Sequence, residues 1–104
     1  MSDKPPLQIF AEEAPDVQQA YGAFIQSLID MKGMDQKTKQ LIYIGMKMIT
    51  DDERAIQMHV AMAKKAGATR DEIKATIVLG LSVIGIKAAA KFLPVALNSY
   101  DSVS

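Results

Sequence analysis

The spacing of the apolar residues constrains this chain more than any other feature of its sequence. Between positions 17 and 28 the apolar residues are Val17, Ala20, Tyr21, Phe24, Ile25 and Leu28. Intervals of three and four place side chains on one face of an α-helix, whereas a strand requires alternation. No segment shows that alternation. The chain is therefore predicted to be all-α.

Capping residues divide the apolar pattern into about five helices. Pro15 suits a first helical turn because its missing N–H needs no partner there. Asp35 and the cluster Thr50-Asp51-Asp52 can cap the second and third helices by accepting from free backbone N–H groups. Gly67 suits the left-handed residue after the third helix, and Thr69-Arg70-Asp71-Glu72 forms a capping box for the fourth.

The two ends of the chain are expected to be less regular. Residues 1–14 contain two adjacent prolines and are predicted to form an N-terminal arm on the surface or on a neighbouring subunit. The last helix is expected from Lys87 to about Leu93, where Pro94 ends or kinks it. Residues 99–104 are predicted to be a frayed tail.

The size and composition of the chain predict one domain that associates with itself. A chain of 104 residues fits a single domain over 1–104. Its hydrophobic fraction of 49% is high for a domain this small, which cannot bury all of that surface as a monomer. We therefore expect a homo-oligomer.

Charge and sequence pattern argue against several classes of partner. Twelve basic residues balance twelve acidic ones without a run of one sign, so a nucleic-acid partner is not expected. No apolar run is long enough to cross a membrane. The opening Met1-Ser2-Asp3-Lys4-Pro5-Pro6 does not resemble a signal peptide, so a cytoplasmic location is predicted. With no cysteine and one histidine, neither a metal site nor a cofactor is expected.

The candidate catalytic residues are His59, Asp52 and Glu53. His59 is the one side chain that titrates near neutral pH without perturbation, and it lies on an apolar helix face. It is either a core side chain with one hydrogen bond or a proton donor and acceptor in a small pocket. Asp52, two turns earlier on nearly the same face, is either a helix cap or the far end of that pocket.

Two further side chains are candidates for substrate binding. Lys87 follows Gly85 at a helix start, where free N–H groups and an ammonium could bind a carboxylate. Gln40 could present its amide to the same pocket. A solvated lysine and a surface glutamine explain these residues equally well.

The stretch from Met58 to Ile73 resembles the carboxymuconolactone decarboxylase and AhpD-like family. It contains the signature run of His-Val, an alanine, and Gly-Ala-Thr followed by Glu-Ile, and the resemblance extends from about Ala20 to Leu97. The resemblance implies an all-helical domain that assembles as a homo-trimer or hexamer. It also implies a lyase acting on a small carboxylate or lactone, with His59 in the site.

The chain departs from the peroxidase-like branch of that family. That branch carries Cys-x-x-Cys where this sequence has Asp52 and Ala55, and an acidic residue where it has Gln40. Disulfide chemistry and an antioxidant role are therefore not expected. The hypotheses that remain are a decarboxylase or binder of a small carboxylated or lactone metabolite, and an inactive member that acts as a binding or assembly module.

Overall fold

Residues 3–104, the part of the chain that this computed structural model describes, contain α-helices and no strand. The helices are α1 (Pro6–Glu13), α2 (Pro15–Asp30), α3 (Gln36–Ile49), α4 (Glu53–Lys65), α5 (Arg70–Leu79), α6 (Leu81–Ile84) and α7 (Ile86–Ser102). The predicted all-α class is confirmed. None of the helices in this range is both long enough and apolar enough to span a membrane.

The described chain divides into two compact units, one up to Gly33 and one from Met34. The first unit holds α1 and α2, each with a proline in its first turn. The arm predicted for residues 1–14 is therefore helical from Pro6 to Glu13. Neither helix contains a buried residue. The prediction of one domain over 1–104 stays a prediction.

The second unit packs α3, α4, α5 and α7 around an apolar core. The largest fully buried side chains are Ile44, Ile56, Val60, Ile73, Ile77 and Phe92. They come from all four helices, and each is placed by the three-and-four spacing that the sequence shows. Burial of an aliphatic or aromatic side chain contributes about 1.5–3 kcal/mol, so these residues hold the unit together.

The predicted helix caps are confirmed. Asp35 and Asp52 accept from the backbone N–H groups of Thr38 and Ala55, at 2.7 and 3.1 Å. Thr69 starts α5 with a complete capping box, in which its hydroxyl accepts from the N–H of Glu72 and the Glu72 carboxylate accepts from the N–H of Thr69. These short-range contacts depend on neighbouring residues alone, which is why sequence predicts them.

Gly67 ends α4 in the way that the sequence predicts. Its φ of 101° lies in the left-handed region, where a Cβ would be strained. The N–H of Gly67 donates to Lys64 and the N–H of Ala68 donates to Ala63, at 3.0 and 2.9 Å. This pair of bonds satisfies the last carbonyls of α4 and turns the chain toward α5.

The last helix is longer than predicted, because α7 continues through Pro94 to Ser102. A proline inside a helix costs about 3 kcal/mol. Phe92 and Ala96, buried on either side of it, offset that cost. The prediction of a frayed tail is wrong for residues 99–102, which belong to α7.

Tertiary contacts hold this end of the chain. The Lys64 ammonium donates to the carbonyl oxygens of Tyr100 and Val103, at 2.8 and 2.5 Å. Arg70 forms two hydrogen bonds to the carboxylate of Asp101, at 2.9 and 3.1 Å. A cation at the carboxyl end of a helix interacts favourably with the negative end of the helix dipole. Lys64 therefore stabilises the last turn of α7.

Candidate active site

His59 lies at the edge of the core, where α4 packs against α3. Its ring is half-buried and stacks on the ring of Tyr43, with centroids 5.0 Å apart and an interplanar angle of 23°. Its Nδ1 lies 2.7 Å from Oε1 of Gln40. Gln40 and Tyr43 are three residues apart on α3, so both face the same side of that helix. The structure therefore brings His59 and Gln40 together, two of the five site residues predicted from sequence.

The contact with Gln40 determines which ring nitrogen is free to exchange a proton. With the amide oxygen as acceptor, Nδ1 carries the hydrogen and donates it to Gln40. The neutral ring then has its lone pair on Nε2, which makes no hydrogen bond to a described residue. No buried side-chain nitrogen or oxygen in the described chain lacks a partner, so Nε2 is not fully buried.

Three effects act on the pKa of His59. Burial lowers it below its ordinary value of 6.5, since burial disfavours the charged ring. The positive charge of Lys47 lowers the pKa further, and the negative charge of Asp52 opposes these two effects. The ring is therefore neutral near pH 7.

Neither Asp52 nor Glu53 forms a hydrogen bond or an ion pair with His59 within the described chain. One oxygen of Asp52 is occupied as the cap of α4, and the residue is exposed. Glu53 is exposed in the first turn of α4. The pKa of Lys91 is raised mainly by its hydrogen bond to Asp51, and the charge of Glu53 adds to that effect. Asp52 thus acts on the imidazole at long range only. Catalytic roles for these two carboxylates stay predictions.

Lys87 lies in the first turn of α7, exposed and without an ion pair to any residue from 3 to 104. Its predicted role in substrate binding stays a prediction. Met58 and Met62, the methionines of α4, are 53% and 38% exposed. Ile56 is fully buried beneath the site.

An apolar groove lies on the other side of α3. It has a volume of about 390 Å³ and is lined by residues of α3, α5 and α6 and by Gly80 between the latter two. On α3 the lining includes Ile42, Gly45 and Ile49. Each of these residues comes two positions after one of Gln40, Tyr43 and Lys47. Two positions correspond to a rotation of about 200° around the helix, so the two sets lie on nearly opposite sides. The groove is thus separate from the His59 site.

The described residues do not assemble a metal centre. Within residues 3–104 no three histidine, aspartate or glutamate side chains lie close enough together to hold an ion. His59 itself can take part in hydrogen bonding and proton transfer.

Two residues of this site were not predicted from the sequence. Tyr43 and Lys47 extend the face of α3 that begins at Gln40, at intervals of three and four. That polar stripe was a usable signal, because it interrupts the apolar side of the helix. Their proximity to His59 depends on how α3 packs against α4, and a single helix pattern does not show this.

Comparison with protein families finds a match to one family. The model of the carboxymuconolactone decarboxylase family matches residues 15–98, which include α2 to α6 and most of α7. Comparisons with curated proteins and with solved structures find no match. The family match covers most of the chain and includes His59, Gln40 and the turn at Gly67. The chain belongs to the carboxymuconolactone decarboxylase family.

Proposed function

We propose that this protein is a lyase that decarboxylates a small carboxylated lactone, with His59 as the proton donor. The observation that carries the proposal is the hydrogen bond from Nδ1 of His59 to Oε1 of Gln40. It holds the ring while leaving Nε2 open to a ligand. A histidine with one fixed and one free nitrogen can take up and release a proton without reorienting.

The proposed step balances without a cofactor. The leaving carboxylate is attached to a carbon that is conjugated with the lactone carbonyl, either directly or through a C=C bond. The bond between the carboxylate and that carbon breaks, and its electron pair delocalises onto the lactone carbonyl as an enolate. Carbon dioxide leaves, and the proton on Nε2 of the His59 imidazolium passes to carbon. Solvent then returns a proton to the ring. Gln40 accepts from Nδ1 throughout, because that nitrogen keeps its hydrogen in both ring states.

The lowered pKa of His59 suits this role. A neutral amide at Gln40 does not raise that pKa as a carboxylate partner would, so burial and Lys47 dominate. The protonated ring is therefore a minority form at neutral pH and gives up its proton readily. We expect the rate to rise as the pH falls toward the pKa of His59.

A binding or assembly module without catalysis is the alternative. The exposed apolar side chains of α5, α6 and the start of α7 favour it, since such surfaces mark sites of association: Val78, Leu79, Leu81, Val83 and Ile86. We propose that a homo-oligomer, a trimer or hexamer as the family resemblance implies, covers this surface. A cytoplasmic location remains a proposal.

The deciding experiment follows carboxylated γ-lactones by NMR in D2O. Decarboxylation with His59 as donor should place deuterium on the carbon that loses the carboxylate. Where a C=C bond links that carbon to the lactone carbonyl, the deuterium can instead appear on the carbon next to the carbonyl. General acid catalysis contributes about 10²–10⁴-fold, so His59→Gln should lower the rate by that factor. Lys65→Gln, an exposed lysine in the last turn of α4, is the matched control and should keep the full rate.

The two functions give different results in this experiment. Turnover that is unaffected by His59→Gln would contradict the proposed donor. Ligand-induced changes in the His59 signals without any turnover would favour the binding module.

A further inference from the structure

Lys47 has a positive charge that acts on His59, and the proposed function gives it no contact with the ligand. It lies in the last turn of α3, four residues after Tyr43 and on the same face of the helix. Four residues rise about 6 Å along the axis, so Lys47 lies one turn beyond the ring that stacks on His59. Its charge reaches the imidazole and acts on it.

The Lys47 side chain is half-buried and has no ion pair with any residue from 3 to 104. The nearby acidic residues have other roles. Asp51 pairs with Lys91 of α7 at 2.7 Å, and Asp52 caps α4. The backbone at Lys47 is held, because its carbonyl accepts from the Thr50 hydroxyl and the Asp52 N–H. An ammonium without a carboxylate partner, on the helix face that contacts His59, favours an anionic ligand.

Lys87, the lysine that sequence suggested for this purpose, is less suited to it. It is exposed at the start of α7, and its charge is not among those that shift the pKa of His59. Lys47 lies on the helix that supplies both ring contacts of His59.

We propose that Lys47 forms a carboxylate-binding subsite beside His59 and selects anionic ligands over neutral ones. This inference rests on the proposed function and assigns the ligand-binding charge of the same site. The ligand places a carboxylate on the Lys47 ammonium and its reacting carbon at Nε2 of His59.

The subsite couples ligand binding to protonation of the ring. The charges that act on His59 are Lys47 of α3 and Asp52 of α4, and Tyr43 is the titratable group stacked on the ring. A bound carboxylate neutralises Lys47 and adds a negative charge near the imidazole. Ligand binding should therefore raise the pKa of His59. The ring is then protonated when the ligand is present and can donate that proton to it.

The test uses the single histidine of the chain, whose ring signals need no further assignment. NMR titrations compare 5-oxotetrahydrofuran-2-carboxylate with its neutral amide, against the wild type and Lys47→Gln. The wild type should bind the acid at least tenfold more tightly than the amide, and the acid should raise the pKa of His59. Lys47→Gln should bind both probes alike and lose the pKa response.

Three further variants make the result specific to Lys47. Lys47→Arg should restore the preference for the acid, because it restores the charge. Lys65→Gln removes one charge elsewhere and should bind as the wild type does. Loss of the preference in Lys87→Gln, with its retention in Lys47→Gln, would overturn the proposal in favour of the other lysine.

Failure of the subsite and failure of the proposed function have different signatures. Equal preference for the acid in the wild type and in Lys47→Gln overturns the subsite but leaves His59 as a ligand site. No response of His59 to either probe in any variant overturns both. Thermal unfolding of each variant shows that the fold is intact before the titrations are compared.

Discussion

Two sides of helix α3 have opposite characters. One side carries Gln40, Tyr43 and Lys47, and it meets His59 of α4. The other side carries Ile42, Gly45 and Ile49 and lines an apolar groove. The first presents polar side chains to His59, whereas the second is mostly apolar, with Thr38 as the polar residue that α3 contributes to the groove. One helix thus separates the polar side chains beside His59 from a largely apolar surface.

The core separates the two sides. Ile44 and Met48 lie between them on α3 and are buried, while the polar and groove-lining residues are half-buried or exposed. We conclude that stability should depend on the core residues of α3 and that chemistry should depend on its polar face. The following substitutions test this division, beginning with the largest expected effect.

Substitution of Ile44 by Ala should disturb both sides of α3. Ile44 is 0% exposed, and truncation of a buried isoleucine costs about 2–5 kcal/mol of unfolding free energy through lost contacts and a cavity. Urea unfolding measures the loss. The matched control is Ile42→Ala on the groove side, where the side chain is 41% exposed and the cost should be much smaller. Equal losses would show that the groove residue is buried in solution by another chain.

Substitution of Thr69 by Ala should weaken the groove side and spare the His59 side. The capping box that starts α5 loses its hydroxyl, and the cost is about 0.5–2 kcal/mol. Urea unfolding gives the stability, and the NMR titration of His59 reports on the other side. Thr69→Ser keeps a hydroxyl and should recover most of the stability. A shift of the His59 pKa in Thr69→Ala would contradict the separation of the two sides.

Substitution of Gln40 by Leu should alter the polar side alone. The hydrogen bond to Nδ1 of His59 is lost, and one such bond contributes about 0.5–1.5 kcal/mol. The ring should then populate both tautomers, which the ring ¹⁵N shifts measure. Gln40→Glu should instead raise the pKa of His59, because a carboxylate stabilises the charged ring.

The exposed Gln57 on α4 provides the control for Gln40. Gln57→Leu should leave the tautomer of His59 unchanged. A ring that stays in one tautomer in Gln40→Leu would mean that another group holds it.

The smallest effect should be the dependence of stability on pH. The pKa of His59 is lowered in the folded state by burial and by Lys47, so the unfolded chain binds the proton more readily below pH 6.5. Stability should be fully present above that pH and fall as the pH drops from 6.5 through the folded pKa. The effect is small because the ring is only half-buried.

Urea midpoints measured across this pH range give the comparison for His59. His59→Gln should lose this part of the pH dependence, while the carboxylates titrating at lower pH keep theirs. An unchanged profile in His59→Gln would contradict the shift.

The fold was more predictable from sequence than the site. Asp35, Asp52, Gly67 and Thr69 were predicted in their observed roles, because each acts on backbone groups within a few residues. The end of α7 was predicted wrongly. Its last turn depends on Lys64 and Arg70, more than 30 residues earlier in the chain, and such contacts leave no local pattern.

By itself the sequence determined the helical class, the starts of α2 to α5 and the candidate histidine, since spacing and capping are properties of neighbouring residues. Only the tertiary structure decided that Gln40 holds His59, that Tyr43 stacks on it and that Lys47 rather than Asp52 lies unpaired on the face beside it. These relations join residues of different helices. They follow from the packing of α3 against α4, where the buried apolar side chains decide which polar groups meet.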